Sequence, residues 1–209
     1  MDSALLVYLL AAFLFGSVPF GLLLVRVLLG KDIRKIGSGN IGATNVARCF
    51  QPRVRVLVFF VIWLFDMGKG YLPVQLLPSS EHVAANLQGC LLGTAAIAGH
   101  CFSPFLGFKG GKGVSTVCGV LLALDPLALL MGMIMFVVVL AWTRIMAVSS
   151  ISLGFAIALS VMLRDPATAF GDRRAISWMA ILLAFFLVWT HRQNIRGLLR
   201  VRRIKENSR

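Results

Sequence analysis

Three polar stretches carry the residue types that could do chemistry. The longest runs from Gly99 to Thr116, G-H-C-F-S-P-F-L-G-F-K-G-G-K-G-V-S-T, and holds glycines, His100, Lys109 and Lys112 but no acid. Glycines let backbone N–H groups converge without a Cβ in the way, and the two lysines add positive charge beside them. That chemistry suits a polyanion such as a phosphate. The plainer alternative is a basic loop that only fixes membrane topology, a job that needs no clustered glycines. A second stretch, Gly37 to Arg48, reads G-S-G-N-I-G-A-T-N-V-A-R. Ser38, Asn40, Thr44 and Asn45 are short hydrogen-bonding side chains, and Arg48 is a planar fork for phosphate or carboxylate. Its plainer alternative is a solvated loop of turn residues. The third stretch, T-H-R-Q-N-I-R from Thr190 to Arg196, brings His191, Arg192 and Asn194.

Several chemistries are excluded by what is missing. None of the three stretches contains an acid, so neither a carboxylate-held metal site nor a metal cofactor is expected. Gly37, Gly39 and Gly42 spell G-x-G-x-x-G, but no strand precedes them and no βαβ unit follows, so a dinucleotide site is rejected. Gly113 follows Lys112 where a Walker A loop has Ser or Thr. No acid follows His100 or His191 at a spacing of four. A Ser-His-Asp trio is not expected, because Asp66 stands alone in an apolar run. What remains is a set of donors and cations able to bind phosphorylated substrates and to stabilise negative charge as it moves. With no strong base evident, such a site needs a substrate already activated by a good leaving group.

The elements that must position these stretches are apolar helices. The 209-residue chain is 58% hydrophobic, with a mean hydropathy of +0.87. Only 14% of it is charged, against about 25% in soluble domains. An all-α, polytopic integral membrane protein is expected, one domain over residues 1–209. The net charge of +13 would suggest nucleic acid in a soluble protein. Here loops facing the cytoplasm and anionic lipid account for it, so no nucleic-acid partner is expected. Cys49, Cys90, Cys101 and Cys118 lie in or beside apolar runs without metal-site spacing, and read as packing residues.

About seven spans are expected: 3–29, 54–77, 83–98, 114–124, 127–142, 145–163 and 175–189. The first is too long for a signal peptide and is broken at Gly16-Ser17-Val18-Pro19. The second carries Asp66 and Lys69, three residues apart on one helix face, expected to neutralise each other. The run from Val114 is about 11 residues, where a full span needs about 20, so it either crosses a locally thin bilayer or is re-entrant. With an outside (periplasmic) N-terminus and seven crossings, about 17 of the 21 Lys and Arg fall on the cytoplasmic side, with the C-terminal tail. Asp2, Glu81, Asp125, Asp165 and Asp172 fall outside. The same alternation puts all three polar stretches, and Ser149 to Ser152, on the cytoplasmic face.

In order, spacing and chain length the three stretches resemble the signature motifs of the bacterial acyl-phosphate:glycerol-3-phosphate acyltransferases, the PlsY family, with the third extending over T-H-R-Q-N-I-R-G-L-L-R (190–200). The resemblance covers essentially the whole chain. It implies an inner-membrane enzyme that moves a fatty acyl group from acyl-phosphate to the 1-hydroxyl of glycerol-3-phosphate. Lysophosphatidic acid and phosphate are released in the first step of phospholipid synthesis, with membrane lipid as surroundings, no cofactor, and a monomer as the expected state. By motif position Ser38, Arg48, Lys112, His191 and Asn194 resemble the glycerol-3-phosphate set. Asn40, Thr44, Asn45 and the Gly110 and Gly111 amides resemble the acyl-phosphate side, with Lys109 beside them. Ser149 and Ser152 are looser candidates, since S-S-I-S allows two registers. Lys112, Arg48 and His191 would be catalytic, His191 as general base or as phosphate ligand. The rival class, a transporter of an anionic solute, would show internal symmetry, and the three stretches differ.

Overall fold

The computed structural model describes residues 3–79 and 82–207, with side chains to residue 200. Asp2, Glu81 and Arg209, which entered the charge count, lie outside the described residues, as do the tail side chains from residue 201. Every regular element described is helical. The chain forms two compact units, Met1–Leu124 and Asp125–Arg209.

The first unit contains α1 (Ser3–Ser17), α2 (Phe20–Leu29), α3 (Ala43–Arg48), α4 (Arg55–Leu76), α5 (Ala85–Cys101) and α6 (Val114–Leu124). The expected break in the first span falls between α1 and α2, and its freed backbone finds partners as a break in lipid requires. The Ser17 hydroxyl donates to the Phe13 carbonyl at 2.7 Å, and the Ser103 hydroxyl donates to the Ser17 carbonyl at 2.7 Å. Helix α1 packs on α5, and α4 on α5 and α6. Small residues let these backbones touch, as helices in lipid prefer. A Cβ at Gly99 would collide with the Phe13 carbonyl, and one at Gly119 with that of Met67.

The second unit contains α7 (Pro126–Thr143), α8 (Met146–Arg164), α9 (Pro166–Ala169), α10 (Arg174–Thr190) and α11 (Arg192–Asn207). Helix α8 packs against both α7 and α10. Asp125 organises one end. Its Oδ1 accepts the Ala128 N–H and caps α7, Arg164 grips both carboxylate oxygens at 2.9 and 2.6 Å, and Arg173 also donates to Oδ2. The mixed-charge segment from Arg164 to Arg174 thus clamps one acid.

Among the described residues five helical stretches are long and apolar enough to cross a membrane, or six if the α10–α11 pair, bent by 48°, is one span. The remaining expected crossing is α6, an 11-residue helix. Large apolar side chains stand exposed along these helices, among them Val7, Leu10, Leu57, Leu64, Val137 and Leu182. In water that surface would be a liability, and in lipid it is the solvated face. The protein is an integral membrane protein. All four cysteines are free thiols, and Cys90, Cys101 and Cys118 are buried.

Candidate active site

The 37–48 stretch is more ordered than a solvated loop. Its apolar members Ile41, Ala43 and Val46 are buried with Ile33 against Leu22 and Val25 of α2 and Ile62 of α4. Leu106, from the central stretch, is buried in the same cluster, so the two stretches rest on one core. From that base Ser38 and Arg48 remain exposed, while Asn40 and Thr44 are half-buried. Arg48 ends α3, where a cation suits the helix dipole.

Asn45 has a different job from the one its motif position implies. It is 3% exposed, its Nδ2 donates to the Ile36 and Asn40 carbonyls at 2.9 Å each, and its Oδ1 accepts the Ser38 N–H at 3.2 Å. Both amide donors serve the chain's own backbone, so Asn45 ties the loop rather than offering donors to a substrate. Gly37 and Gly39 turn this loop through left-handed φ values of 57° and 69°. A Cβ at Gly37 would also run into Asn45 Oδ1. Asn40 adds an Asx turn, its Oδ1 accepting the Gly42 N–H at 2.8 Å.

The central stretch departs from expectation at both ends. His100 and Cys101 belong to the last turn of α5, so the loop proper starts later. The Gly110 and Gly111 amides do not face outward as free donors. They donate to the Cys101 and His100 carbonyls at 3.0 Å each. Their lack of side chains serves a close approach instead, since a Cβ at Gly111 would overlap the His100 ring and one at Gly110 the His100 carbonyl. The expected amide cradle is therefore not built from these two groups. Lys109 is exposed and Lys112 half-buried just ahead of α6. The first-turn N–H groups of α6 point back along the axis toward that end, adding partial positive charge to the two ammonium groups. Burial pushes the Lys112 ammonium down from its ordinary value.

One unexpected neighbour lies behind this loop. The expected Asp66–Lys69 pair forms at 2.6 Å with both side chains buried. Asp66 does not stand alone, however. His100 Nδ1 lies 3.7 Å from its Oδ1. A separation of 34 positions along the chain gives no pattern by which the sequence could show this.

In the second unit α8 and α10 run side by side, with Gly154 against Ala184 and Leu187. Ser149 and Ser152, at the start of α8, thus lie at the same end of the pair as His191. Ser149 is buried and Ser152 half-buried, and each hydroxyl donates to the carbonyl four residues back, at 3.0 Å. What each can still offer a ligand is oxygen lone pairs. His191, 3% exposed, closes α10 with Nδ1 2.8 Å from the Leu187 carbonyl. A side chain reaching back one turn at a helix end is a signal the sequence did contain. Asn194 is half-buried one turn on, while Arg192 stacks on the Trp189 ring, 4.1 Å from its centroid, and donates to the Trp189 carbonyl.

Known proteins resemble this chain over most of its length. A family model described as glycerol-3-phosphate acyltransferase matches residues 6–201. The glycerol-3-phosphate acyltransferase of Anaeromyxobacter sp. (strain K) is 39% identical over 194 residues, 91% of each chain. The crystal structure of PlsY (YgiH), an integral membrane glycerol 3-phosphate acyltransferase, in its glycerol 3-phosphate form superposes with a TM-score of 0.81. It is 32% identical and covers 96% of this chain and 94% of that one. The lysophosphatidic acid form of PlsY superposes at 0.79 with 30% identity, over the same shares.

Proposed function

The chain belongs to the glycerol-3-phosphate acyltransferase family of PlsY type, and from that premise we propose that its acyl donor is an acyl-phosphate. The 1-hydroxyl oxygen of glycerol-3-phosphate attacks the acyl carbonyl carbon, the bond from that carbon to the phosphate oxygen breaks, and phosphate leaves. Lysophosphatidic acid is the product. The hydroxyl proton passes to the departing phosphate or to His191. The two crystal forms of PlsY, one with glycerol 3-phosphate and one with lysophosphatidic acid, support this choice of acceptor and product.

The observation that carries the reading is the central loop, which sets Lys109 and Lys112 ahead of the α6 N-terminus with no acid nearby in sequence. Two dianions meeting in one site need this charge. Ser38, Arg48, Lys112, His191 and Asn194 hold glycerol-3-phosphate in this reading. Asn40, Thr44 and Lys109 serve the acyl-phosphate, and Ser149 and Ser152 join them only where their hydroxyls turn from the α8 carbonyls to donate. Asn45, Gly110 and Gly111 are builders of the loops. The whole chain acts as one monomeric catalytic domain in the bacterial inner membrane. Helix α6 completes the seventh crossing, with the N-terminus outside and the C-terminus and active face in the cytoplasm, an orientation supported by the Lys and Arg bias.

The test uses purified protein in lipidic mesophase with palmitoyl-phosphate and glycerol-3-phosphate, no added metal, and release of phosphate as the readout. Release that requires glycerol-3-phosphate and is lost in a folded Lys112→Ala variant supports the reading. Lysophosphatidic acid formed only from acyl-CoA, with no release of phosphate, overturns the donor, and full activity of Lys112→Ala overturns the role of the loop.

A further inference from the structure

The buried side chains behind the central loop form a chain that ends at Lys112. Asp66 and Lys69 of α4 pair at 2.6 Å, 2% and 1% exposed. The Phe20 ring lies over the Lys69 ammonium, 4.9 Å from centroid to Nζ. Next to the pair lies the His100 ring, 4% exposed, with Nδ1 3.7 Å from Asp66 Oδ1. No hydrogen-bond partner for that Nδ1 exists among the described residues. The opposite ring nitrogen, Nε2, faces Gly111 so closely that a Cβ there would overlap it. The Gly111 N–H in turn donates to the His100 carbonyl, and Lys112 follows directly in the chain.

We propose that His100, backed by the Asp66–Lys69 pair, is a positioning residue that sets the height and direction of the loop carrying Lys112. The imidazole acts as a shim between a charged pair locked into α4 and a glycine that has no side chain to yield. Packed interiors transmit such contacts because they do not compress. A helix-held pair cannot slide, so the position of Gly111 is fixed relative to α4 through one ring. This also explains why the loop needs two adjacent glycines although neither amide is available to a ligand. Each sits where the backbone must touch His100, Gly110 at its carbonyl and Gly111 at its ring.

The inference rests on the reading that Lys112 holds substrate phosphate, and a pair of variants tests it separately. Gly111→Ala pushes a methyl into the ring and is expected to lower kcat/KM about tenfold, within the range of coupling between touching residues. His100→Ala removes the shim and is expected to lower kcat/KM by a similar factor, mostly through a raised KM for glycerol-3-phosphate. The double variant is expected to be no worse than His100→Ala, because the methyl then has room. Losses that multiply, or a His100→Ala enzyme with unchanged kcat and KM and only a lower melting temperature, would overturn the positioning role. If His100→Ala does not fold, the same cycle is run with His100→Asn, whose shorter side chain also leaves room for the methyl. An inactive Lys112→Ala enzyme with multiplicative losses in the cycle sinks this inference alone. A fully active Lys112→Ala enzyme sinks the reading beneath it.

Discussion

His191 directs its Nδ1 at the Leu187 carbonyl oxygen, 2.8 Å away and one helical turn back. A carbonyl only accepts, so Nδ1 carries a proton. A backbone carbonyl orients the imidazole without the negative charge that would stabilise an imidazolium. As a phosphate ligand His191 must donate from Nε2 as well, and the substrate dianion itself supplies the charge that keeps a proton there, so in that role the donor phosphate takes the hydroxyl proton. His191→Ala is then expected to raise KM for glycerol-3-phosphate more than it lowers kcat. Steady-state phosphate release at saturating substrate measures this, and a fall in kcat of about 10²–10⁴ would assign His191 as the base instead.

Asn45→Ala is expected to lower the melting temperature as well as activity. The change takes from the Asn40 carbonyl and the Ser38 N–H the Asn45 partner each has here, and leaves the Ile36 carbonyl with the Gly39 N–H alone, at about 1–3 kcal/mol for each group that stays buried and unpaired. A thermal melt in detergent checks it. An unchanged melt with lost activity would return Asn45 to the role of substrate ligand.

The same residues mark what the sequence could and could not convey. Helices, the break at Pro19 and the Asp66–Lys69 pair were legible, because hydropathy, proline chemistry and a three-residue spacing are local properties. The ends of α5 and the engagement of the Gly110 and Gly111 amides were not. A glycine that frees an N–H for a ligand and one that lets a backbone approach a histidine ring look alike in sequence. The Asp125 clamp was hidden for a related reason. Arg164 and Arg173 meet it from 39 and 48 positions away.

Asp125 gives a pH-dependent stability with a definite sign. Burial works to raise its carboxyl, but hydrogen bonds from Arg164, the Ala128 N–H and Arg173 outweigh this and hold it below the usual value. A carboxyl depressed in the folded state contributes stability that is present above the unfolded value, about 3.9, and is lost as pH falls through the folded value. Asp125→Asn is expected to melt lower than wild type at neutral pH. The gap lies between the ~1 kcal/mol of exposed pairs and the ~3–5 kcal/mol of buried ones, since both arginines are partly exposed. Melts across an acid series check it, and the two curves should converge at low pH. A constant gap at all pH values would mean that the charge of Asp125 contributes nothing to stability.

The proposed role of Lys112 as a phosphate ligand implies an alkaline limit on substrate capture. Its ammonium is pushed down by burial, because the charged form loses hydration in the loop. Only the cation attracts a phosphate dianion, so kcat/KM for glycerol-3-phosphate, which reports the free enzyme, should fall on the alkaline side at a pH below the ordinary lysine value of about 10.4. Bound phosphate restores a counter-charge and raises the ammonium again, so the limb in kcat should lie at higher pH than the limb in kcat/KM. Lys112→Arg replaces the titrating ammonium with a guanidinium that stays charged throughout this range. It should be slower, since a planar fork is not a point charge, but its kcat/KM should lose the alkaline limb. Phosphate release measured against pH, corrected for spontaneous hydrolysis of the donor, decides the matter. An alkaline limb that persists unchanged in Lys112→Arg would place the titrating group elsewhere.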